Sequence, residues 1–267
     1  MRVKFFICSW LPLLVASSIV AACSGQQVDP SSTPAPTQQI LLPSPEASSN
    51  PSAGPAADSG SGRKLLASVP NQNIFLFGEE NGVALRIGDQ TRTFDWMYST
   101  PRDIAPRLQV QDYDGDGKEE LSVILHVGSG TGLSVDELHM IKMDPADPDY
   151  FKDQVFHDYE AQLNKAVQIK TILQNDVLFG QLSIDSASHS VNLKELQSPE
   201  FGKVSDQLYF GNIVRFEHEG KHIKAQFAAE IAVEKSPMPQ SIGDIDANVS
   251  YKDGKFVLSH FAFRAGS

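Results

Sequence analysis

From Ile223 to Val233 the chain shows a clear period of two. Ile223, Ala225, Phe227, Ala229, Ile231 and Val233 take one set of positions, and Lys224, Gln226 and Glu230 take the other. A period of two is the side-chain spacing of a strand, and it gathers these six apolar residues on one face of a half-buried sheet. The pattern returns in Ile245, Ala247, Val249 and Tyr251, which alternate with Asp244, Asp246, Asn248 and Ser250 before Asp253-Gly254 turns the chain into Phe256 to Arg264. The same alternation accounts for Asp244, Asp246 and Asn248 as an exposed polar face.

Shorter strand candidates fill the region before this. Ile74 to Phe77 and Val83 to Ile87 flank an Asn81-Gly82 turn, and strands follow around Thr91 to Trp96 and Glu137 to Met143. Val167 to Leu173, Val177 to Ile184 and Val191 to Leu196 have strand-like composition, while Asp158 to Ala166, with Asp158 as N-cap, is the best helical candidate. Gly128-Ser129-Gly130-Thr131-Gly132 reads as a long hairpin loop, and Asp144-Pro145-Ala146-Asp147-Pro148 as a break between sub-domains. The expected fold is mainly β. It comprises antiparallel hairpins and a meander, with a propeller-blade-like N-terminal half, a further antiparallel sheet and at most one or two short helices.

The residues with the clearest chemistry lie between two apolar strands, in Asp112-Tyr113-Asp114-Gly115-Asp116-Gly117-Lys118-Glu119-Glu120. Carboxylates stand at positions 1, 3, 5 and 9, and Gly stands at position 6 where the backbone must turn sharply. A hard divalent cation wants oxygen ligands, and the Lys118 carbonyl at position 7 could add a fifth. Crowded carboxylates repel by about 1 kcal/mol per pair in water and about 4 at intermediate dielectric, a cost that calcium would relieve. Position 12, where an EF-hand carries a bidentate Glu, is Val123. The pattern D-x-D-G-D-G-x-x-E-L resembles the calcium loop of the FG-GAP and VCBS repeats of integrin-like β-propellers, over about one repeat of the chain. That resemblance implies Asp112, Asp114, Asp116 and Glu120 as side-chain ligands, with the Lys118 carbonyl, and Ca2+ as the ion. No second complete copy of the loop occurs, and no repeat at a blade-like period stands out.

The N-terminus supplies a cellular address. Arg2 and Lys4 precede a mostly apolar run from Phe5 to Val20, which is shorter than a membrane span and interrupted by Pro12, as in a secretory leader. Val20-Ala21-Ala22-Cys23 resembles the lipobox of bacterial lipoproteins. The resemblance implies removal of residues 1–22, acylation of Cys23 with palmitate-type chains, and attachment to the outer side of the membrane by more than one acyl chain. Cys8 would leave with the leader, so the exported domain would carry no free thiol and no disulfide. Residues 23–64 form a Ser/Pro/Ala-rich tether; its stretch up to Arg63 contains seven prolines and no aromatics, too little apolar surface to offset ordering entropy. Its end-to-end reach is about 35 Å if fully flexible. Residues 65–267 are the expected β-rich domain.

Charge and the remaining motifs narrow the function. With 33 Asp plus Glu against 22 Lys plus Arg, the surface disfavours nucleic acid and the anionic membrane face. His218-Glu219-Gly220-Lys221-His222 spells H-E-x-x-H, the zinc and general-base signature of metallopeptidases. That chemistry needs a helix to aim both imidazoles at one metal, whereas Gly220 and the alternating strand that follows favour a hairpin turn. No Ser/His/Asp or Cys/His arrangement can be picked out by spacing. The expected role is binding or structural at the cell envelope, rather than catalytic. Two alternatives stand beside it: a zinc-dependent hydrolase using His218, Glu219 and His222, and a calcium loop that bridges an acidic wall polymer or a protein ligand.

Overall fold

Asn81-Gly82 turns the chain as its residue types demand. The computed structural model describes residues 63–266, and these open with an antiparallel meander of β1 (Lys64–Val69), β2 (Ile74–Glu79), β3 (Gly82–Ile87) and β4 (Gln90–Phe94). The leader, Cys23 and the tether up to residue 62 lie outside the described residues. Gly82 sits at φ 117, and a side chain there would run into the Phe94 carbonyl oxygen. Only Gly meets both conditions.

The chain then changes sheets. β5 (Arg107–Gln111), β6 (Glu120–Gly130) and β7 (Leu133–Lys142) form a second meander, with the acidic loop between β5 and β6. The N-terminal half is therefore two antiparallel meanders in separate sheets, not one blade containing both. The reason is visible in β6, whose first seven residues are all buried. Leu121, Val123 and Leu125 on one face pack with Ile74, Leu76, Val83 and Leu85 of the first meander, while Ile124 on the other joins Leu138, Met140 and the C-terminal strands. A strand buried on both faces needs a layer on each side.

The glycine-rich segment is mostly ladder. Gly128 pairs with Val135 and Gly130 with Leu133, which leaves Thr131-Gly132 as a tight turn rather than a long loop. The ladder slips by one residue between His126 and Gly128, a β-bulge. Asp144 to Tyr150 folds into successive turns and returns the chain as β8 (Asp153–Val155) to the edge of β7, so this break separates no sub-domains. α1 (Tyr159–Ala166) follows, and Asp158 stands at its N-cap without capping a backbone N–H. Its carboxylate accepts the Gln162 amide at 3.1 Å instead.

β9 (Val167–Gln174), β10 (Val177–Ile184) and β11 (Ala187–Asn192) make a three-stranded antiparallel sheet. β12 (Val204–Tyr209), β13 (Ile213–Glu219), β14 (His222–Val233), β15 (Gln240–Lys252) and β16 (Lys255–Ala265) complete the largest sheet. Its order is β16-β15-β14-β13-β7-β6-β5, with β12 on β14 and β8 on β7. The one parallel step among the described strands is β13 on β7, at Ile213 with Ser134 and Val214 with Val135. The six alternating apolar residues of β14 are all buried, as are Ile245, Ala247, Val249 and Tyr251 of β15. On the opposite face Lys224 bonds Asn248 at 2.7 Å and Arg264 bonds Asp246 at 2.6 Å, a ladder of cross-strand polar pairs. Asp253 and Gly254 both have positive φ, the requirement of a type I′ hairpin turn. Glu230 departs from its expected place on the solvent face: it is only 6% exposed, and the Asn212 side chain from the segment before β13 bonds it at 2.8 Å.

Leu121 is fully buried where β6 meets the first meander. Leu121→Ala is expected to destabilise the domain by about 2–5 kcal/mol, the usual cost of a cavity at such a site, with an unchanged denaturant slope. A loss well under about 1 kcal/mol in urea unfolding would mean that β6 does not join the two layers.

Candidate metal centre

Each aspartate of the acidic loop folds the loop through its own side chain. Asp112 accepts the Gly115 N–H at 2.8 Å and the Gly117 N–H at 3.1 Å, Asp114 accepts the Asp116 N–H at 3.1 Å, and Asp116 accepts the Lys118 N–H at 2.8 Å. Gly115 and Gly117, at φ 78 and 86, let the chain reverse between these bonds. The three carboxylates consequently converge, each offering an oxygen within 4.8 Å of the others. Oxygens on one calcium at 2.3–2.6 Å can lie at most about 5 Å apart, so the triad has the right span for a single ion. Asp112 and Asp116 are exposed and Asp114 is half-buried.

Glu120 behaves differently. It is the first residue of β6, fully buried, and its carboxylate accepts the Tyr113 N–H at 3.0 Å and the Lys142 ammonium at 2.6 Å. Lys142, at the end of β7, is its cross-strand partner. The same Nζ donates to Asp114 at 2.8 Å and lies 3.7 Å from Asp116. The fourth expected ligand is thus clamped to a protein cation that also touches two of the converging aspartates. Lys118 is exposed, and its ammonium pairs with Asp144 at 2.9 Å, tying the loop to the 144–150 turns. Cys23 lies outside the described residues.

The charges set each group's proton affinity. Burial pushes Glu120 upward, and the bonds from Lys142 and Tyr113 only partly offset it, so its carboxyl stays above the ordinary range. Desolvation also opposes ionisation of Asp114, but the Lys142 and Asp116 hydrogen bonds outweigh it and hold this carboxyl low. Burial disfavours the Lys142 ammonium, yet its bonds to Asp114 and Glu120 hold it above the lysine range. An ammonium so held is a resident counter-charge to the loop.

The H-E-x-x-H segment is a hairpin. Glu219 faces His222 across the β13–β14 pair, and Gly220-Lys221 forms the turn with Gly220 at φ 60. Register puts His218 opposite Ile223, so the two imidazoles fall on opposite faces of the ribbon and cannot share a metal in the peptidase manner. His222 is exposed, whereas His218 Nε2 lies 3.0 Å from the Ser122 hydroxyl on β6.

Ser122 belongs to a column of polar groups on one face of β6 that the sequence reading did not single out. Below it is Glu120 with Lys142, and above it His126 Nδ1 lies 3.0 Å from Asp136 Oδ1. Asp136 Oδ2 also accepts Arg107 at 2.7 Å, and the same guanidinium group reaches the Phe216 carbonyl at 2.9 Å. On the other face of the meander the His139 ring lies tilted against Trp96, centroids 4.2 Å apart, between Asp153 at 3.0 Å and Glu137 at 2.9 Å. Burial works against its proton, but the two carboxylates prevail and raise its affinity.

Compared with protein-family models, with curated proteins and with solved structures, the chain finds no match.

Burial, with a smaller contribution from Arg107, pushes His218 down to about 4. An unfolded histidine takes its proton near about 6.5, so between about pH 6.5 and 4 the unfolded state binds more protons and stability falls as the pH drops. His139 has the opposite shift and loses its contribution as the pH rises, so the variant comparison isolates His218. His218→Gln, which can still bond Ser122, is expected to lose less stability than the wild type between pH 7 and 5 in denaturant titrations. Parallel losses would contradict the buried neutral imidazole.

Proposed function

We propose that this chain is a membrane-anchored extracytoplasmic lipoprotein whose β domain is a calcium-stabilised binding or structural module at the cell envelope. The observation that carries the calcium reading is the convergence of Asp112, Asp114 and Asp116 at a span suited to one ion. Asp114, Asp116 and Glu120 share one close ammonium, Lys142, while Asp112 pairs with no cation among the described residues and Lys118 is engaged with Asp144. A divalent ion would relieve the remaining repulsion, and an all-oxygen donor set favours a hard cation. When bound, the ion supplies charge neutralisation and a fixed loop geometry. The chain's own contribution is to hold three carboxylates on two positive-φ glycines and to moor the loop through Glu120 at the start of the central strand.

The anchor reading rests on the leader and on Val20-Ala21-Ala22-Cys23. No helix among the described residues is long and apolar enough to cross a membrane, so attachment falls to lipid on Cys23 in this reading. The exposure of Asp112 and Asp116 favours a second use of the same site. An ion held there keeps solvent-facing positions, through which it could bridge to an acidic wall polymer or a protein ligand.

Calcium at about 10 to 100 times its dissociation constant should add about 1.4–2.7 kcal/mol, or a melting temperature rise of about 3–10 °C for a domain of this size. The double variant Asp114→Ala with Asp116→Ala is expected to lose that rise. Lys142→Met is expected to melt lower without calcium, because buried Glu120 loses its counter-charge, and to gain more from calcium, because the resident competitor is gone. Equal responses of all three proteins would contradict the site.

A further inference from the structure

Glu230 has no partner equal to its charge. It is 6% exposed in β14, and one oxygen, Oε2, accepts the Asn212 amide at 2.8 Å. Among the described residues Oε1 takes no hydrogen bond, and no Lys, Arg or His forms an ion pair with the carboxylate. Burial accordingly pushes its carboxyl up, and the Asn212 bond offsets this only in part. An ionised carboxylate held this way is costly, and a proton or a cationic group is what relieves it.

The carboxylate lines an open cleft of about 420 Å³ between the start of α1, the segment from β12 to β13 and the 237–239 turn. A second carboxylate, Glu160 of α1, lines the same cleft. Its Oε1 lies over Gly211, where an added Cβ would stand 2.8 Å from it and push that carboxylate end aside. The rest of the lining is unlike a metal site. Tyr209 and Met238, 41% and 49% exposed, give the cleft apolar walls, and Glu160 and Glu230 belong to no cluster of three ligating groups. An acceptor oxygen of a largely buried carboxylate that still opens on the cleft, a second carboxylate and exposed apolar surface suit a ligand with N–H donors at a charged end and a short hydrocarbon body.

We propose that this cleft binds the ammonium end of a small primary amine, with Glu230 and Glu160 accepting its N–H groups and Tyr209 and Met238 flanking its hydrocarbon body. The proposal uses none of the acidic-loop residues and stands whether or not calcium binds there. Position 230 is thereby a binding group on a strand whose neighbours, Ala229 and Ile231, are core.

The test is NMR titration of the purified chain with n-butylammonium, n-butanol and butyrate, each in calcium and in chelator. Butylammonium is expected to cause saturable shifts at residues 207–212 and 237–239 in both buffers, with n-butanol at least about tenfold weaker and butyrate without effect. Glu230→Gln should weaken butylammonium about tenfold or more while melting no lower than the wild type, because it removes an uncompensated buried charge. Gly211→Ala, which displaces only the far end of Glu160, should weaken binding by a smaller factor. Failure of butylammonium to saturate, equal binding of the alcohol and the amine, or unchanged affinity in a folded Glu230→Gln would each overturn the assignment. If Glu230→Gln fails to fold, Gly211→Ala decides: unchanged affinity overturns the assignment and weakened affinity upholds it.

Discussion

The ion pair between Glu120 and Lys142 is the contact on which the rest of this molecule turns. It sits where an exposed acidic loop becomes a strand whose first seven residues are all buried, and it couples the two. A fully buried carboxylate without a partner would cost several kcal/mol, so the strand can begin there only because an ammonium reaches it from the facing strand. That same ammonium holds Asp114, which makes the loop's shape and the sheet's first buried residue parts of one electrostatic unit. A cation entering the loop would act directly on this unit, which explains how a surface site could influence the stability of the whole sheet.

β6 extends the same logic along its length. One face is purely apolar and packs on the first meander, while the other carries Glu120, Ser122 and His126 among apolar neighbours. Each of these three has a partner on another strand: Lys142 and Asp136 on β7 and His218 on β13. Arg107 adds a link from β5 through Asp136 to the backbone of β13. Apolar burial sets the register of an alternating face, and paired polar groups at fixed positions penalise slippage further, since a shift of one residue would strand each of them. β13 joins β7 at only two residue pairs, so these side-chain links matter most at that junction.

Much of this architecture was legible in the sequence. The alternation in β14 and β15, the Asn81-Gly82 and Asp253-Gly254 hairpins, the strands either side of the acidic loop and the hairpin character of His218 to His222 all follow from side-chain period and turn chemistry. The partner of Glu120 did not. Lys142 lies on an expected strand, but counting back from the Thr131-Gly132 turn with a regular ladder would pair Glu120 with Met143 and send Lys142 to the other face. The bulge at Val127 moves the register by one and brings the two charges together. Glu230 was missed for a similar reason. Alternation assigns a strand's polar face to solvent, and the group that meets Glu230 there, Asn212, comes from a segment 18 residues earlier that local pattern does not place. The division into two meanders was hidden as well, because nothing local between β4 and β5 tells an antiparallel chain that it must start a new sheet.

The central claim is that the acidic loop clasps a divalent ion in competition with Lys142. The most direct measurement is a crystal structure of the β domain grown in millimolar calcium, with data collected to detect the ion's anomalous signal. The account predicts an ion bound by oxygens of Asp112, Asp114 and Asp116 at about 2.3–2.6 Å, with the Lys142 ammonium drawn away from Asp114. Aspartates bonded only to the loop's own backbone, with Lys142 still bonded to Asp114 and no anomalous peak among them, would contradict it.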